Sequence, residues 1–68
     1  MKLWLHSEIE HQGDLDNARE GLHKAGALVL REGEADFESE SVSFQVEFGT
    51  RAELMQRLHD LDTGVCVD

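Results

Sequence analysis

Sixty-eight residues suffice for one domain and little more, and fifteen acidic against six basic side chains give a net charge of -9. That charge sets the surface against nucleic-acid phosphates and anionic membrane faces, so no nucleic acid and no membrane is expected as a partner. A single cysteine and the lack of zinc-spaced Cys/His clusters exclude an internal disulfide and a structural metal, so apolar packing has to hold the fold. No apolar run approaches the ~20 residues of a membrane span, and Met1 to Ser7 is too short for a signal-peptide core, so the expected setting is cytoplasmic. A domain of this size buries only about 60% of its unfolded surface, so a homodimer or a protein partner is expected to add stability.

From Lys2 to Glu10 the residues alternate, with Leu3, Leu5 and Ile9 on one face and Trp4, His6, Glu8 and Glu10 on the other, which predicts a half-buried strand. His11-Gln12-Gly13 breaks the alternation, and Asp14 stands where a helix cap is needed, ahead of apolar positions Leu15, Ala18, Leu22 and Ala25 spaced three or four apart. Gly26 can take the left-handed conformation that ends this helix, and Ala27 to Arg31 reads as a second strand.

Glu32 to Ser41 is an acidic hairpin connection carrying one aromatic residue, Phe37. Val42, Phe44, Val46 and Phe48 then alternate with Ser43, Gln45 and Glu47, the strongest strand signal in the chain. Gly49-Thr50 stops that strand, and Thr50 with Glu53 matches a capping box that opens a second helix with the stripe Leu54, Met55, Leu58 and Leu61. Thr63-Gly64 ends the helix, and Val65 to Val67 forms a short last strand.

The chain repeats a phrase at its two helix ends. Leu22-His23-Lys24-Ala25-Gly26-Ala27-Leu28-Val29 has its echo in Leu58-His59-Asp60-Leu61-Asp62-Thr63-Gly64-Val65-Cys66-Val67, each running from a helix end into an apolar strand. Two βαβ halves with right-handed crossovers give an α+β, ferredoxin-like βαββαβ two-layer sandwich, with a four-stranded antiparallel sheet ordered 4-1-3-2 and both helices on one face. Leu3, Leu5, Ile9, Leu28, Leu30, Val42, Phe44, Val46, Phe48, Val65 and Val67 are then expected in the core. The opposite face is uncovered and presents Trp4, His6, Glu8, Glu10, Ser43, Gln45 and Glu47, flanked by Val29 and Cys66. Trp4 on that face is either an interface residue or a cover for the sheet end.

The four histidines do not make a site, since no two lie at i and i+4 on one helix. His23 and His59 fall late in their helices, where an imidazolium complements the carbonyl end. His6 and Glu8 share a strand face as a solvated pair. Cys66 has no basic neighbour in sequence to activate its thiol. Glu32, Glu34, Asp36, Glu38 and Glu40 alternate as Ca²⁺ ligands do, but without the glycine turn and terminal glutamate of a calcium loop, and a charge-blunted strand edge explains them. Gly13 ahead of a helix start leaves backbone N–H groups free for an anion such as an amino-acid carboxylate, with Asp14 competing for them.

Gly13-Asp14-Leu15 entering the first helix, Leu22 to Ala27 leaving it, Phe44-Gln45-Val46-Glu47-Phe48, and Arg51-Ala52-Glu53-Leu54 through Leu58-His59-Asp60-Leu61 to Gly64-Val65 together resemble the ACT-type regulatory domain, over nearly the whole chain. The resemblance implies a ferredoxin-like domain that pairs through strands or helices and binds an amino acid or similar small molecule at the interface. It implies that Gln12, Gly13, Asp14 and Leu15 line the ligand site, together with second-strand residues of a partner subunit.

Three functions are compatible with these features. The first is a non-enzymatic regulatory module without a cofactor, a homodimer sensing a small molecule near Gly13 or docking on a protein through Trp4, His6, Glu8, Gln45 and Glu47. The second is an acidic adaptor or inhibitor of a basic protein surface, motivated by the -9 charge and the Glu32 to Glu40 carboxylates. The third is a small enzyme using His6 and Glu8.

Overall fold

The computed structural model describes all residues from Met1 to Asp68. Strand β1 (Lys2–Glu8) leads to helix α1 (Gln12–Lys24) and strand β2 (Leu28–Glu32); β3 (Ser41–Glu47), α2 (Arg51–Asp60) and β4 (Val65–Val67) follow. The sheet runs β2-β3-β1-β4 with every neighbouring pair antiparallel, which is the expected order read from its other edge.

Period-two alternation builds the central pair. Leu3 lies opposite Val46, Leu5 opposite Phe44 and Ser7 opposite Val42, so these side chains share one face, where all six are buried. Against them pack Leu15, Ala18, Leu22 and Ala25 of the first helical stripe, and Leu54 and Leu58 of the second. Met55 and Leu61, expected to join them, are exposed, Leu61 standing just past the end of α2 as its cap residue. Phe48 and Val67 are partly buried at the margin of the core.

Strand β1 stops at Glu8 instead of Glu10. The reason is Asp14, which is the third residue of α1 and not its cap: its carboxylate accepts from the backbone N–H of Glu10 at 2.8 Å and of His11 at 3.3 Å, turning the chain before the helix. His11 is the cap residue, in extended conformation. Ile9 stays fully buried, its N–H bonded to the Glu40 carbonyl at 2.9 Å.

The two echoed phrases form matching helix ends. Ala27 N–H reaches back to the Leu22 carbonyl at 3.1 Å, and Thr63 N–H to the Leu58 carbonyl at 3.3 Å, around a left-handed residue in each case. That residue is Gly26 in the first copy, as expected, but Asp62 in the second, with Gly64 taking a further positive φ two residues on. His23 and His59 occupy the last helical turns.

The second strand departs most from expectation. Leu28 is 63% exposed, Val29 41% and Leu30 44%, so neither Leu28 nor Leu30 enters the core; Ala27 is buried in their place. A β-bulge between Val29 and Arg31 resets the strand's parity. Leu28 and Arg31 lie opposite Glu47 and Gln45 on the uncovered face, whereas Val29 and Glu32 lie opposite Val46 and Phe44 on the helix side. Glu32 there meets Arg19 of α1 in a two-pronged ion pair, both N···O distances being 2.6 Å.

One close approach ties the helices' ends together. A Cβ on Gly21 would stand 2.6 Å from Thr63 Cγ2 and 3.0 Å from its Cβ, and threonine is stiff at χ1. Gly21→Ala is expected to lower stability by about 1–3 kcal/mol through this overlap, outweighing the gain in helix propensity. Urea unfolding gives the number, and an unchanged or raised midpoint would contradict the close packing of α1 on the Thr63 turn.

Candidate functional site

The uncovered sheet face brings Trp4, His6, Glu8, Gln45 and Glu47 together, as their alternation requires. Trp4, in the inner strand β1, lies opposite Gln45 on one side, and its carbonyl accepts from Asp68 N–H at 2.9 Å on the other. It remains 46% exposed. His6 lies between Ser43 of β3 and the exposed Cys66 of β4. Its Nδ1 is bonded to the Asp68 carboxylate and not to Glu8. Glu47 lies opposite Lys2 and takes the terminal amine of Met1 at 2.6 Å. Glu10 is off this face in the turn, and Leu28 and Arg31 replace Val29 at its β2 margin.

The four helix-entry residues are separated by burial. Leu15 is part of the core, Gln12 Nε2 bonds Asp16 at 3.3 Å, and Gly13 sits against the His11 ring. Asp14 already occupies the N–H groups of Glu10 and His11, so its carboxylate is where an entering anion would have to compete. The surface concavities lie elsewhere: between α1 and the Leu61–Thr63 turn, between α2 and β4, and on the acidic hairpin.

That hairpin is ordered by its own acid. Asp36 and Ser41 exchange two backbone hydrogen bonds of 3.0 Å, and the Asp36 carboxylate accepts from Glu38 N–H at 3.0 Å and Ser39 N–H at 3.1 Å. With Glu32 engaged by Arg19, the five alternating carboxylates do not converge, and no group of three His, Cys, Asp or Glu side chains forms a metal cluster. No helix is long and apolar enough to cross a membrane.

Three carboxyls are held below their ordinary range: Asp14 chiefly by the Glu10 N–H, Glu32 by the Arg19 guanidinium and Asp36 by the Ser39 N–H. A carboxyl with a depressed pKa in the folded state contributes stability that is full above its unfolded value and is lost as pH falls through its folded value. Stability is therefore expected to drop as pH is lowered past about 4, and Asp14→Asn to shrink that drop. Urea midpoints for both chains at neutral and acidic pH test this, and an equal acid loss in the variant would remove Asp14 from the linkage.

Two arginines escaped the sequence reading. Arg57 Nη1 donates to the Ala25 carbonyl at 3.1 Å and its guanidinium lies 5.3 Å from the Phe48 ring centre, so α2 caps the end of α1. Arg51 reaches β4, with Nε 3.2 Å from the Asp68 carbonyl and Nη2 3.4 Å from that of Val67. A signal for Arg51 was present: a cation in the first turn of a helix opposes the helix dipole and calls for another partner.

No protein-family model and no curated protein matches the chain. Among solved structures, a formyltetrahydrofolate deformylase from Pseudomonas putida KT2440 shares the fold, with a TM-score of 0.57 and 16% identity. The match covers 98% of this chain and 27% of that one. At this identity the likeness shows the ferredoxin-like fold.

Proposed function

We propose that the chain is a non-enzymatic regulatory module of the ACT-like kind, in which two copies pair and a small molecule such as an amino acid is held near Gln12, Gly13 and Asp14. The observation that carries this reading is the outer edge of β2, where Leu28, Val29 and Leu30 remain exposed on a strand with no neighbour on one side. Exposed apolar residues along an open edge suit pairing with another strand, which supplies main-chain hydrogen bonds and covers the side chains together. The Arg19–Glu32 pair anchors the end of β2 to α1, so a copy added at that edge also lies beside the first helix. The deformylase adds support, because there the fold accounts for 27% of an enzyme's chain, as a module within a larger protein would.

Titration of the chain with the amino acids, followed by backbone NMR shifts, tests the ligand half. The expected result is a saturable shift at Gln12, Gly13 and Asp14 with one of them. Amino acids that leave these resonances unmoved throughout would remove the ligand half and leave the pairing to be judged by mass.

A further inference from the structure

The two edges of the sheet are not equivalent. In the antiparallel β1–β4 pair, Asp68 N–H bonds the Trp4 carbonyl, so the backbone of Asp68 faces β1 and that of Val67, one residue earlier, faces outward. The outward Val67 carbonyl is the one that Arg51 Nη2 approaches at 3.4 Å, while the outward Val65 N–H is taken by Thr63 Oγ1 at 3.2 Å. Side chains of this protein thus occupy hydrogen-bonding groups that an added strand would need. No side chain does this for β2.

The strand directions make such protection necessary. With the order β2-β3-β1-β4 and antiparallel neighbours throughout, β2 and β4 run in opposite directions. A second copy set alongside in the same orientation would bring its β2 antiparallel to the first copy's β4, and the sheet would continue without closing. Pairing β2 with β2 across a two-fold axis is also antiparallel, but it closes at two copies and leaves a β4 at each end. Arg51 is placed to decide between these outcomes. Its cation stands at the first position of α2, against the helix dipole; one of its hydrogen bonds goes to the outward Val67 carbonyl of β4 and the other to the adjoining Asp68 carbonyl.

We propose that Arg51 is an edge guard: by engaging the outward Val67 carbonyl of β4, it leaves β2 as the edge open to a second copy of this chain and limits self-association to two copies. The proposal rests on the paired reading above, and one experiment separates their failures. Sedimentation velocity of the full chain over a wide concentration range is compared for the wild type, Arg51→Ala, Arg51→Met and Arg51→Ala combined with Leu30→Glu, with circular dichroism reporting on folding.

The wild type is expected to stop at the mass of two chains. Both Arg51 variants should keep their helix and strand signal and grow past two chains as concentration rises, and Leu30→Glu should return the mass to two or fewer. Arg51 variants that stop at the wild-type mass would overturn the guard and leave the pairing intact. Growth that survives Leu30→Glu, or that accompanies loss of the folded signal, would also overturn it, since disordered aggregation needs no β2 edge. A wild type that stays single while the Arg51 variants grow would sink the paired reading and the two-copy limit with it, leaving only the protection of β4 by Arg51.

Discussion

Phe44→Ala is expected to leave the chain largely unfolded at room temperature. Phe44 is fully enclosed, opposite Leu5 at the centre of the sheet, and belongs to the one cluster that joins both helices to the strands. Truncating a buried phenylalanine costs about 3–5 kcal/mol, from lost transfer energy and the cavity left behind. Marginal stability of about 0.05–0.15 kcal/mol per residue gives a chain this short about 3–10 kcal/mol in all, and its small core places it toward the lower end, where the truncation removes most of it. No disulfide is available to hold the remainder, since Cys66 is the single cysteine. Far-UV circular dichroism with urea titration is the measurement, and a cooperative transition within about 1 kcal/mol of the wild type would show that the sheet centre can repack.

The same residue explains why so much of the fold was legible. Leu3 and Leu5 on one strand, and Val42, Phe44 and Val46 on another, repeat at the period of a pleat, and a register one residue off would put the two sets on opposite faces. The cap at Thr50, whose Oγ1 accepts from Glu53 N–H at 3.2 Å, was equally plain, because it depends on two residues three apart. What failed was β2. Its Leu28-Val29-Leu30 run has no alternation to give its parity away, and a bulge is a relation between two strands that neither strand's sequence carries. Asp14 failed differently: a carboxylate suits the cap and the third helical position alike, and which it takes depends on where the preceding strand ends.

The candidate site divides along the same line. The face carrying Trp4, His6, Glu8, Gln45 and Glu47 followed from strand parity, because neighbouring residues of a strand point to opposite sides. His6 could not be paired with Asp68 from sequence, since that contact spans the length of the chain and exists only because β4 returns beside β1. The β2 edge was hidden for the reason just given: its leucines looked like core. An apolar run that turns out exposed on an edge is informative in a way a buried one is not, because something has to compensate for its exposure.

On the proposed pairing through β2, Leu30→Glu is therefore expected to weaken self-association about a hundredfold while leaving each copy folded. Full burial of a leucine side chain is worth about 1.5–3 kcal/mol, and Leu30, 44% exposed in the single copy, has roughly half of that still to gain. Two copies lose about 2 kcal/mol in this way, and two carboxylates facing each other across the seam add up to about 1 kcal/mol. The sum, about 3 kcal/mol, corresponds to about a hundredfold in Kd. The chain already carries a charge of -9 on each copy, so association should strengthen with added salt in both proteins. Because Leu30 is the extra residue of the bulge and touches solvent in the single copy, the substitution should leave the urea midpoint of the separated chain nearly unchanged. Sedimentation equilibrium gives the dissociation constants. An equal Kd for the two proteins would move the contact away from β2, toward the uncovered face around Trp4, whereas a lost urea transition would mean that Leu30 supports the single fold after all.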